Sequence, residues 1–294
     1  MNSVSELVKY KLLKYLPDEP YLKLMYRWQM KKPLNLIAPH TFNEKLQWLK
    51  LYDRQTAYIG MVDKCKVKNY IAQEIGPQYI IPTLGVWNRF DDIDFNSLPE
   101  QFVLKCTHDS GGIIICKSKI CFDKTNARRT IMKSLKRNFY WSGREWPYKN
   151  VKPRIMAEQY LVDSSAAELR DYKFFCFNGV CKCMKVDFDR FVSHKANYYD
   201  RHGNFLDIGE VVCPPDKNRD IALPDNLAEM VELAEKLSAG FPFVRVDLYN
   251  VEGKIKFGEF TFYPASGMGP FISESADILL GQWLELPRRK EPII

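Results

Sequence analysis

The chain has 294 residues, of which 46% are hydrophobic and 27% are charged. This composition excludes large-scale disorder and supplies enough apolar residues for one large domain or for two to three small ones. The 43 basic and 36 acidic residues give a net charge of +7, which suits an anionic substrate. No run of like charge resembles a nucleic-acid-binding arm, so no nucleic-acid partner is expected.

The sequence predicts neither a signal peptide nor an integral membrane segment, because charged residues interrupt every apolar stretch. Its eight cysteines are therefore expected to be free thiols in a cytoplasmic protein. They form no Cys-x-x-Cys pair, so no zinc site is expected. Leu7, Val8, Leu12 and Leu13 predict an amphipathic helix, for which packing on the chain itself is favoured. Peripheral contact with a lipid-linked glycan at the inner membrane surface stays open.

The first third of the chain is predicted to be mainly helical, and we assign residues 1–98 to an N-terminal helical domain. Thr41 and Glu44 have the spacing of a capping box, in which each side chain bonds to a backbone amide at the start of a helix. A further helix is expected from Asp63 to Ile75, followed by a short strand from Ile80 to Trp87.

Residues 99–162 change to a strand-rich pattern, and we assign them to a lid subdomain. Phe102 to Thr107 and Ile113 to Lys117 are predicted to pair as a hairpin around a glycine-containing turn. A basic helix from Asn126 to Phe139 and a strand from Arg154 to Leu161 are expected to follow.

Residues 163–294 are predicted to form a C-terminal subdomain of paired strands. Asn178-Gly179 lies between two apolar runs and is the strongest short hairpin signal in the chain. A helix from Leu227 to Ala239 precedes two more strands, which flank the turn Asn250–Gly253. The fold class is therefore mixed α and β.

Two acidic residues interrupt this last pair of strands, Asp247 in the first strand and Glu259 in the second. Acidic residues are depleted in strands, so their presence indicates a function. Side chains alternate between the faces of a sheet. An odd number of loop residues would thus place Arg245, Asp247 and Glu259 on one face, whereas an even number would separate the carboxylates. If these three side chains share one face, they suit a magnesium ion that is bound to a phosphate.

A lysine and a glycine-containing turn occur together in residues 102–117. Lys105 lies in an apolar strand, where lysine is unusual unless it is paired or at an edge. Asp109-Ser110-Gly111-Gly112 follows, and glycines let backbone N–H groups surround a phosphate. The segment suits a flap over a triphosphate, although an ordinary hairpin turn with a surface lysine is the simpler interpretation. His108 suits a phosphate contact or, more simply, a solvent-facing turn.

The order of these features resembles the ATP-grasp fold: a lysine strand, a glycine flap, a strand ending in Glu158-Gln159-Tyr160-Leu161, and paired strands with Arg-x-Asp and Glu-x-Thr. Longer segments look like the TupA-like ATP-grasp proteins of bacterial surface-polysaccharide gene clusters. These segments are Thr41–Lys50, Gly143–Asn150, Asp171–Gly179 and Phe241–Tyr249. The resemblance extends from about residue 25 to residue 285.

The resemblance implies an α+β ATP-grasp fold with a helical N-terminal region, a central lid subdomain and a C-terminal antiparallel-sheet subdomain. It also implies an ATP-dependent carboxylate–amine ligase that uses ATP and Mg²⁺ and forms an amide through an acylphosphate. In a surface-polysaccharide setting, the carboxylate partner would be a uronic acid of a glycan and the amine partner an amino acid or amino sugar.

The resemblance further implies which residues bind the nucleotide. Lys64 and Lys105 would contact the ATP phosphates, and Ser110-Gly111-Gly112 would close over them. Glu158 and Leu161 would bracket the adenine, with Gln159 and Tyr160 between them in the same segment.

In the same way, Asp247 and Glu259 would hold magnesium, and Arg245 would be the catalytic residue that faces the reacting carboxyl or phosphoryl oxygens. Thr261, the third metal-site candidate, stands where many ATP-grasp enzymes have asparagine. A hydroxyl is a weaker ligand, which puts a second metal ion in question. Asp109 replaces an expected glycine in the flap and would bring negative charge near the phosphates unless it points outward, as we expect.

Three alternatives stay open. Asp187-Phe188-Asp189 is an Asp-x-Asp triplet that can hold a metal ion and a nucleotide-sugar diphosphate, so a glycosyltransferase of polysaccharide biosynthesis is one of them. A sugar kinase on the ATP-grasp fold is the second, and a binding module without activity is the third.

Overall fold

The computed structural model describes residues 13–162, 169–189 and 192–288. The predicted helix around Leu7 and Val8 lies outside these ranges. The α-helices within them are α1 (Asp18–Met30), α2 (Phe42–Tyr52), α3 (Ala57–Val62), α4 (Val67–Glu74), α5 (Lys124–Leu135), α6 (Tyr140–Gly143), α7 (Leu227–Ser238) and α8 (Glu274–Trp283). Short 3₁₀ turns are Pro77–Tyr79, Phe90–Asp92, Trp146–Asn150 and Pro264–Gly267. No helix of the described ranges has the length and apolarity needed to cross a bilayer.

The strands form two antiparallel sheets. They are β1 (Thr83–Trp87), β2 (Phe102–Cys106), β3 (Ile114–Cys116), β4 (Ile155–Gln159), β5 (Asp171–Phe177), β6 (Val180–Phe188), β7 (Lys195–Tyr199), β8 (Phe205–Leu206), β9 (Phe243–Val251) and β10 (Lys254–Thr261). The smaller sheet has the order β1-β4-β2-β3, and the larger has the order β10-β9-β5-β6-β7-β8.

Local sequence signals account for several of these elements. Thr41 and Glu44 form the predicted capping box at the start of α2. The hairpins β2–β3 and β5–β6 confirm the predicted strand pairs. The helix predicted from Asp63 starts later, at Val67, because the Asp63 carboxylate accepts hydrogen bonds from the amides of Cys65 and Lys66 and holds a turn there.

The smaller sheet packs on α5 around its own apolar core, which includes Phe102, Leu104 and Ile131. Its edge strand β1 comes from the segment before residue 98. The sheet therefore crosses the predicted boundary between the first two domains, and the three domain ranges stay predictions.

The larger sheet has two different faces. Helix α7 packs on one face over β5, β6 and β9. The opposite face is apolar at one end, where Phe42 of α2 contacts Phe177 and Phe243. Farther along this opposite face, the side chains become polar and charged. All eight cysteines of the chain are free, as expected.

Candidate active site

The two acidic residues of the last hairpin lie side by side, but the length of the loop does not account for this arrangement. The connection is a two-residue turn, Glu252-Gly253, with φ angles of 51° and 80°, which is the conformation of a tight hairpin turn. An even-numbered turn alone would separate the carboxylates. A β-bulge between Phe257 and Glu259 shifts the register, so that Glu259 lies directly opposite Asp247.

Gly258 is the extra residue of this bulge. Ile255 and Phe257 are buried in the core, and strict alternation would have placed Glu259 on their face. The inserted residue turns Glu259 to the other side. A Cβ atom at Gly258 would lie 3.0 Å from the backbone oxygen of Asp247, so the close approach of the two strands favours glycine here.

The carboxylates belong to a row of polar side chains that crosses the larger sheet. Glu259 of β10 lies opposite Asp247 of β9, and Asp247 lies opposite Lys173 of β5. Lys173 lies opposite Lys185 of β6, which in turn lies opposite Tyr198 of β7. Five strands thus present charged or polar groups along one line. Lys173 and Lys185 were missed in the sequence, although each is a lysine among the apolar residues of a strand, the kind of signal that singled out Lys105.

Arg245 and Lys64 neutralise the two carboxylates. Arg245 lies two residues before Asp247 and donates to both of its oxygens, with Nε–Oδ1 and Nη2–Oδ2 distances of 2.6 Å. Lys64 Nζ lies 3.2 Å from Glu259 Oε2. Burial raises the pKa of Asp247 to about 6, against the opposing effect of Arg245. Burial acts in the same direction on Glu259, but Lys64 and Arg245 hold the pKa of that carboxyl below its usual value.

Lys64 is held in position by contacts between the N-terminal segment and the smaller sheet. Its backbone N–H donates to the carbonyl of Thr107, just after β2, at 3.0 Å. The preceding residue, Asp63, is buried and accepts two hydrogen bonds from Arg154 at 3.0 and 2.8 Å. Asp63 and Arg154 therefore connect the two regions that carry Lys64 and Lys105, a role that sequence reasoning missed.

Lys105 forms an ion pair with Glu158 of the neighbouring strand β4. Lys68 Nζ from α4 lies 2.6 Å from the other oxygen of Glu158, so one buried carboxylate joins two lysines. Burial lowers the pKa of Lys105, although Glu158 opposes the shift. Burial alone would raise the pKa of Glu158, but Lys105 and Lys68 hold it below its usual value.

A cleft lies between the two sheets at the edge strand β10. Lys64, Lys68, Lys105 and Glu158 form its charged wall. Its other lining residues are Val67, Ile71, Ile80, Ile81, Phe257 and Gly258. A lining of apolar side chains and several ammonium groups suits a flat base attached to a phosphate chain, but the cleft holds only about 10 Å³ and must open to admit one.

The glycine turn lies between β2 and β3 and is anchored to α5. Gly112 has a φ of 67°, and a Cβ atom there would lie 2.6 Å from the Ser134 side chain, so both conformation and space favour glycine. The expectation that Asp109 points outward is wrong. Asp109 is buried and accepts a hydrogen bond from Ser134 Oγ at 2.7 Å, which draws its charge toward α5. Its other carboxylate oxygen accepts a hydrogen bond from the backbone of Ser110.

His108 is buried rather than solvent-facing, which corrects the simpler sequence interpretation. Its Nε2 lies 3.0 Å from the backbone oxygen of Arg137, at the end of α5. A carbonyl oxygen can only accept a hydrogen bond, so Nε2 carries the hydrogen. The imidazole therefore links the glycine turn to the segment that follows α5.

The remaining predicted site residues are not among those that line the cleft. Gln159 is exposed at the end of β4, and its backbone N–H donates to the carbonyl of Pro82 at 3.0 Å. Tyr160 and Leu161 follow and are partly buried. Thr261 lies opposite Arg245 in the β9–β10 ladder, on the same face as Glu259. Their predicted binding roles stay predictions.

The carboxylates of the Asp-x-Asp triplet engage different partners. Asp187 is buried and lies 2.5 Å from Lys173 Nζ. Asp189 is half exposed and lies 3.7 Å from Arg219. The triplet thus does not present a matched pair of carboxylates to a nucleotide sugar, and the geometry lends the glycosyltransferase alternative no support.

Among solved structures, several D-alanine–D-alanine ligases align with the chain at low identity. The enzyme from Helicobacter pylori aligns with a TM-score of 0.44 and 15% identity over 84% of this chain and 71% of that one. The Bacillus anthracis ligase complexed with ATP gives 0.42 and 13% over 83% and 67%. D-alanyl-alanine synthetase A from Vibrio cholerae gives 0.43 and 12% over 82% and 64%. These likenesses are too distant to support an argument about activity.

Comparison with curated proteins gave no significant match. The sequence model of the TupA-like ATPgrasp family matches residues 44–285, which is most of the chain and includes both sheets and the cleft between them. The match confirms the predicted α+β ATP-grasp fold and the predicted enzyme class, an ATP-dependent carboxylate–amine ligase. The chain belongs to the TupA-like ATP-grasp family.

Proposed function

We propose that this ligase activates the carboxylate of a uronic acid in a surface glycan with ATP and joins it to an amino acid or another amine. The observation that supports this proposal most strongly is the register of β9 and β10, which opposes Asp247 and Glu259. Lys64 pairs with Glu259 and also lines the cleft together with Lys105, so it connects the two carboxylates with the lysines of the cleft.

Asp247 and Glu259 would together hold Mg²⁺, because paired carboxylate oxygens are its preferred protein ligands. The Glu259 side chain is 40% exposed whereas that of Asp247 is only 6% exposed, so an ion would reach the pair through Glu259. Thr261 lies on the same face and could add a hydroxyl ligand. When bound, the ion would neutralise the triphosphate oxygens.

The lysines and the glycine turn would hold the nucleotide. Lys64 and Lys105 would exchange their carboxylate partners for phosphate oxygens, and the backbone amides of Ser110-Gly111-Gly112 would cover them. The apolar side chains Ile80, Ile81 and Phe257 would contact the base, next to Glu158-Gln159-Tyr160-Leu161. Closure of the turn would exclude water, which matters because an acylphosphate hydrolyses readily.

Arg245 would stabilise the reacting oxygens. Its guanidinium already lies against Asp247 and, at 3.8 Å, near Glu259, so it stands beside the proposed metal site. During transfer of the γ-phosphoryl group to the substrate carboxylate, negative charge develops there, and a fixed cation lowers the barrier. Lys173, next in the row, lies opposite Asp247, but its ammonium group is paired with Asp171 and Asp187.

The test is ADP release with a panel of uronic acids and amino acids. If the protein is a ligase, one ADP should form for each amide, and both an acid and an amine should be required. ADP formation with a sugar alone, accompanied by a stable sugar phosphate, would instead identify a kinase. Turnover of nucleotide sugars without ATP would point to the glycosyltransferase.

A further inference from the structure

A histidine and a buried aspartate form a hydrogen-bonded pair beyond the proposed metal site. His194 Nε2 lies 2.8 Å from Asp187 Oδ1. The Asp187 side chain is 3% exposed, whereas that of His194 is 40% exposed. The pair thus has a fixed, buried carboxylate and an imidazole that is accessible from outside the sheet. A carboxylate that orients an imidazole in this way is the usual arrangement around a catalytic base.

The carboxylate of Asp187 is itself held by two lysines. Lys173 Nζ lies 2.5 Å from Asp187 Oδ2, on the side opposite the histidine contact, and Lys185 Nζ lies 3.7 Å from Oδ1. The buried carboxylate therefore cannot rotate without breaking an ion pair. This restraint fixes the direction of the imidazole.

The pair lies on the same face of the larger sheet as the proposed metal site. Lys173, which contacts Asp187, lies directly opposite Asp247 in the sheet. By register, Asp187 is in line with Tyr249, so it is two strand spacings, about 10 Å, across the sheet and two residues, about 7 Å, along it from Asp247. An acylphosphate whose phosphate is held at the proposed metal site would have to extend across this gap, so that its acyl carbon and the incoming amine meet beside His194.

A metal site is a weaker interpretation of the same residues. Ligand atoms of Asp187, His194 and Cys213 lie within 4.8 Å of one another. However, the ammonium group of Lys185 lies 3.2 Å from Cys213 Sγ and already supplies a positive charge there. The Cys213 thiol also donates a hydrogen bond to Glu210 Oε2 at 3.0 Å, so its sulfur already has partners.

We propose that His194, oriented by Asp187, is the base that accepts the proton of the attacking amine. This inference rests on the proposed ligase function. The amine nitrogen forms a bond to the acyl carbon, the bond between that carbon and the phosphate oxygen breaks, and phosphate leaves with its electron pair. The proton lost by nitrogen passes to His194 and then to solvent. The other charged or titratable groups around the pair are Lys173, Asp171, Lys185, Glu210 and Cys213.

The experiment compares two nucleophiles that differ in their need for a base. An amino acid is largely protonated at pH 7 and must lose a proton to react, whereas hydroxylamine is largely neutral there. Wild type, His194→Gln and the control His202→Gln are each given ATP, Mg²⁺ and the uronic acid that supports ADP release. Amide formation with the amino acid and hydroxamate formation with hydroxylamine are then measured. His202 is a suitable control because it is exposed, on the turn between β7 and β8.

The inference predicts that His194→Gln loses amide formation by about 10²-fold or more, the usual contribution of a positioned base. Hydroxamate formation should stay within about twofold of wild type, and His202→Gln should keep both. Added imidazole should partly restore amide formation in His194→Ala. Equal loss of both products in a folded His194→Gln, or no loss of either, would overturn the assignment. A wild type that forms neither product would remove the ligase function itself.

Discussion

Asp247 and Glu259 are the residues on which the proposed chemistry depends most. Asp247→Asn or Glu259→Gln removes one of two anionic ligands, so each variant should lose ADP formation by at least 10²-fold. Both side chains keep their shape, so the circular dichroism spectrum should stay that of wild type. Glu232→Gln, an exposed position on α7, is the matched control. Full turnover in both site variants would remove the metal assignment.

Glu158 should affect both stability and its dependence on pH. Its pKa is held below the ordinary value of 4.5 in the folded chain, so its contribution to stability is complete above about pH 4.5 and is lost as the pH falls further. Glu158→Gln leaves Lys105 and Lys68 without their buried partner and should cost up to about 3 kcal/mol at pH 7.

Urea unfolding at several pH values measures this effect. Wild type should lose stability below about pH 4.5, and Glu158→Gln should lose less over the same range. An identical pH profile for the two proteins would show that Glu158 has no shifted pKa.

At the scale of the element, the sequence predicted the helix start and the hairpin whose interactions involve only residues close together in the chain. The capping box at Thr41 and the hairpin at Asn178-Gly179 are both formed by residues adjacent in sequence, and both are confirmed. The bulge at Gly258 could not be predicted in the same way. It depends on contact between β9 and β10, so counting loop residues, which left both arrangements of the carboxylates open, could not show that they meet across a two-residue turn.

The charged row across the sheet could not be predicted from local sequence patterns either. The pairing of Lys173 with Asp247 brings together residues from distant segments, and no spacing within either strand specifies it. Likewise, the burial of Asp109 depends on Ser134 in α5. Tertiary contacts therefore determine the parts of the candidate site that sequence reasoning missed or misjudged.

Gly258→Ala tests the role of the bulge. The added methyl group would lie 3.0 Å from the Asp247 carbonyl and 3.1 Å from the Tyr249 ring, so the backbone of β9 must shift by a few tenths of an ångström. We expect a loss of about 1–3 kcal/mol in the free energy of unfolding and a larger relative loss of ADP formation.

The control for this variant is Gly60→Ala in helix α3, where a Cβ atom would meet no atom within 4 Å. Because alanine favours a helix, this change should be neutral or stabilising by up to about 1 kcal/mol. Wild-type activity in a fully stable Gly258→Ala protein would show that the bulge does not need glycine.

At the scale of the whole molecule, the nucleotide should join the two sheets. The cleft is lined by Lys105 and Glu158 from the smaller sheet and by Phe257 from the larger sheet, so a bound nucleotide would contact both. Mg²⁺ with ATP at a hundred times its dissociation constant should stabilise the fold by about 2.7 kcal/mol.

A thermal-shift assay measures this stabilisation, with Mg²⁺ and a uridine diphosphate sugar as the comparison. The second ligand should leave the melting temperature unchanged. A shift with the nucleotide sugar and none with ATP would favour the glycosyltransferase.

The most direct test of the account is anomalous diffraction from crystals grown with Mn²⁺ and a nonhydrolysable ATP analogue. The account predicts a manganese peak within coordination distance of both Asp247 and Glu259 that also contacts the terminal phosphates. Manganese bound elsewhere, with the two carboxylates still paired only to Arg245 and Lys64, would contradict it.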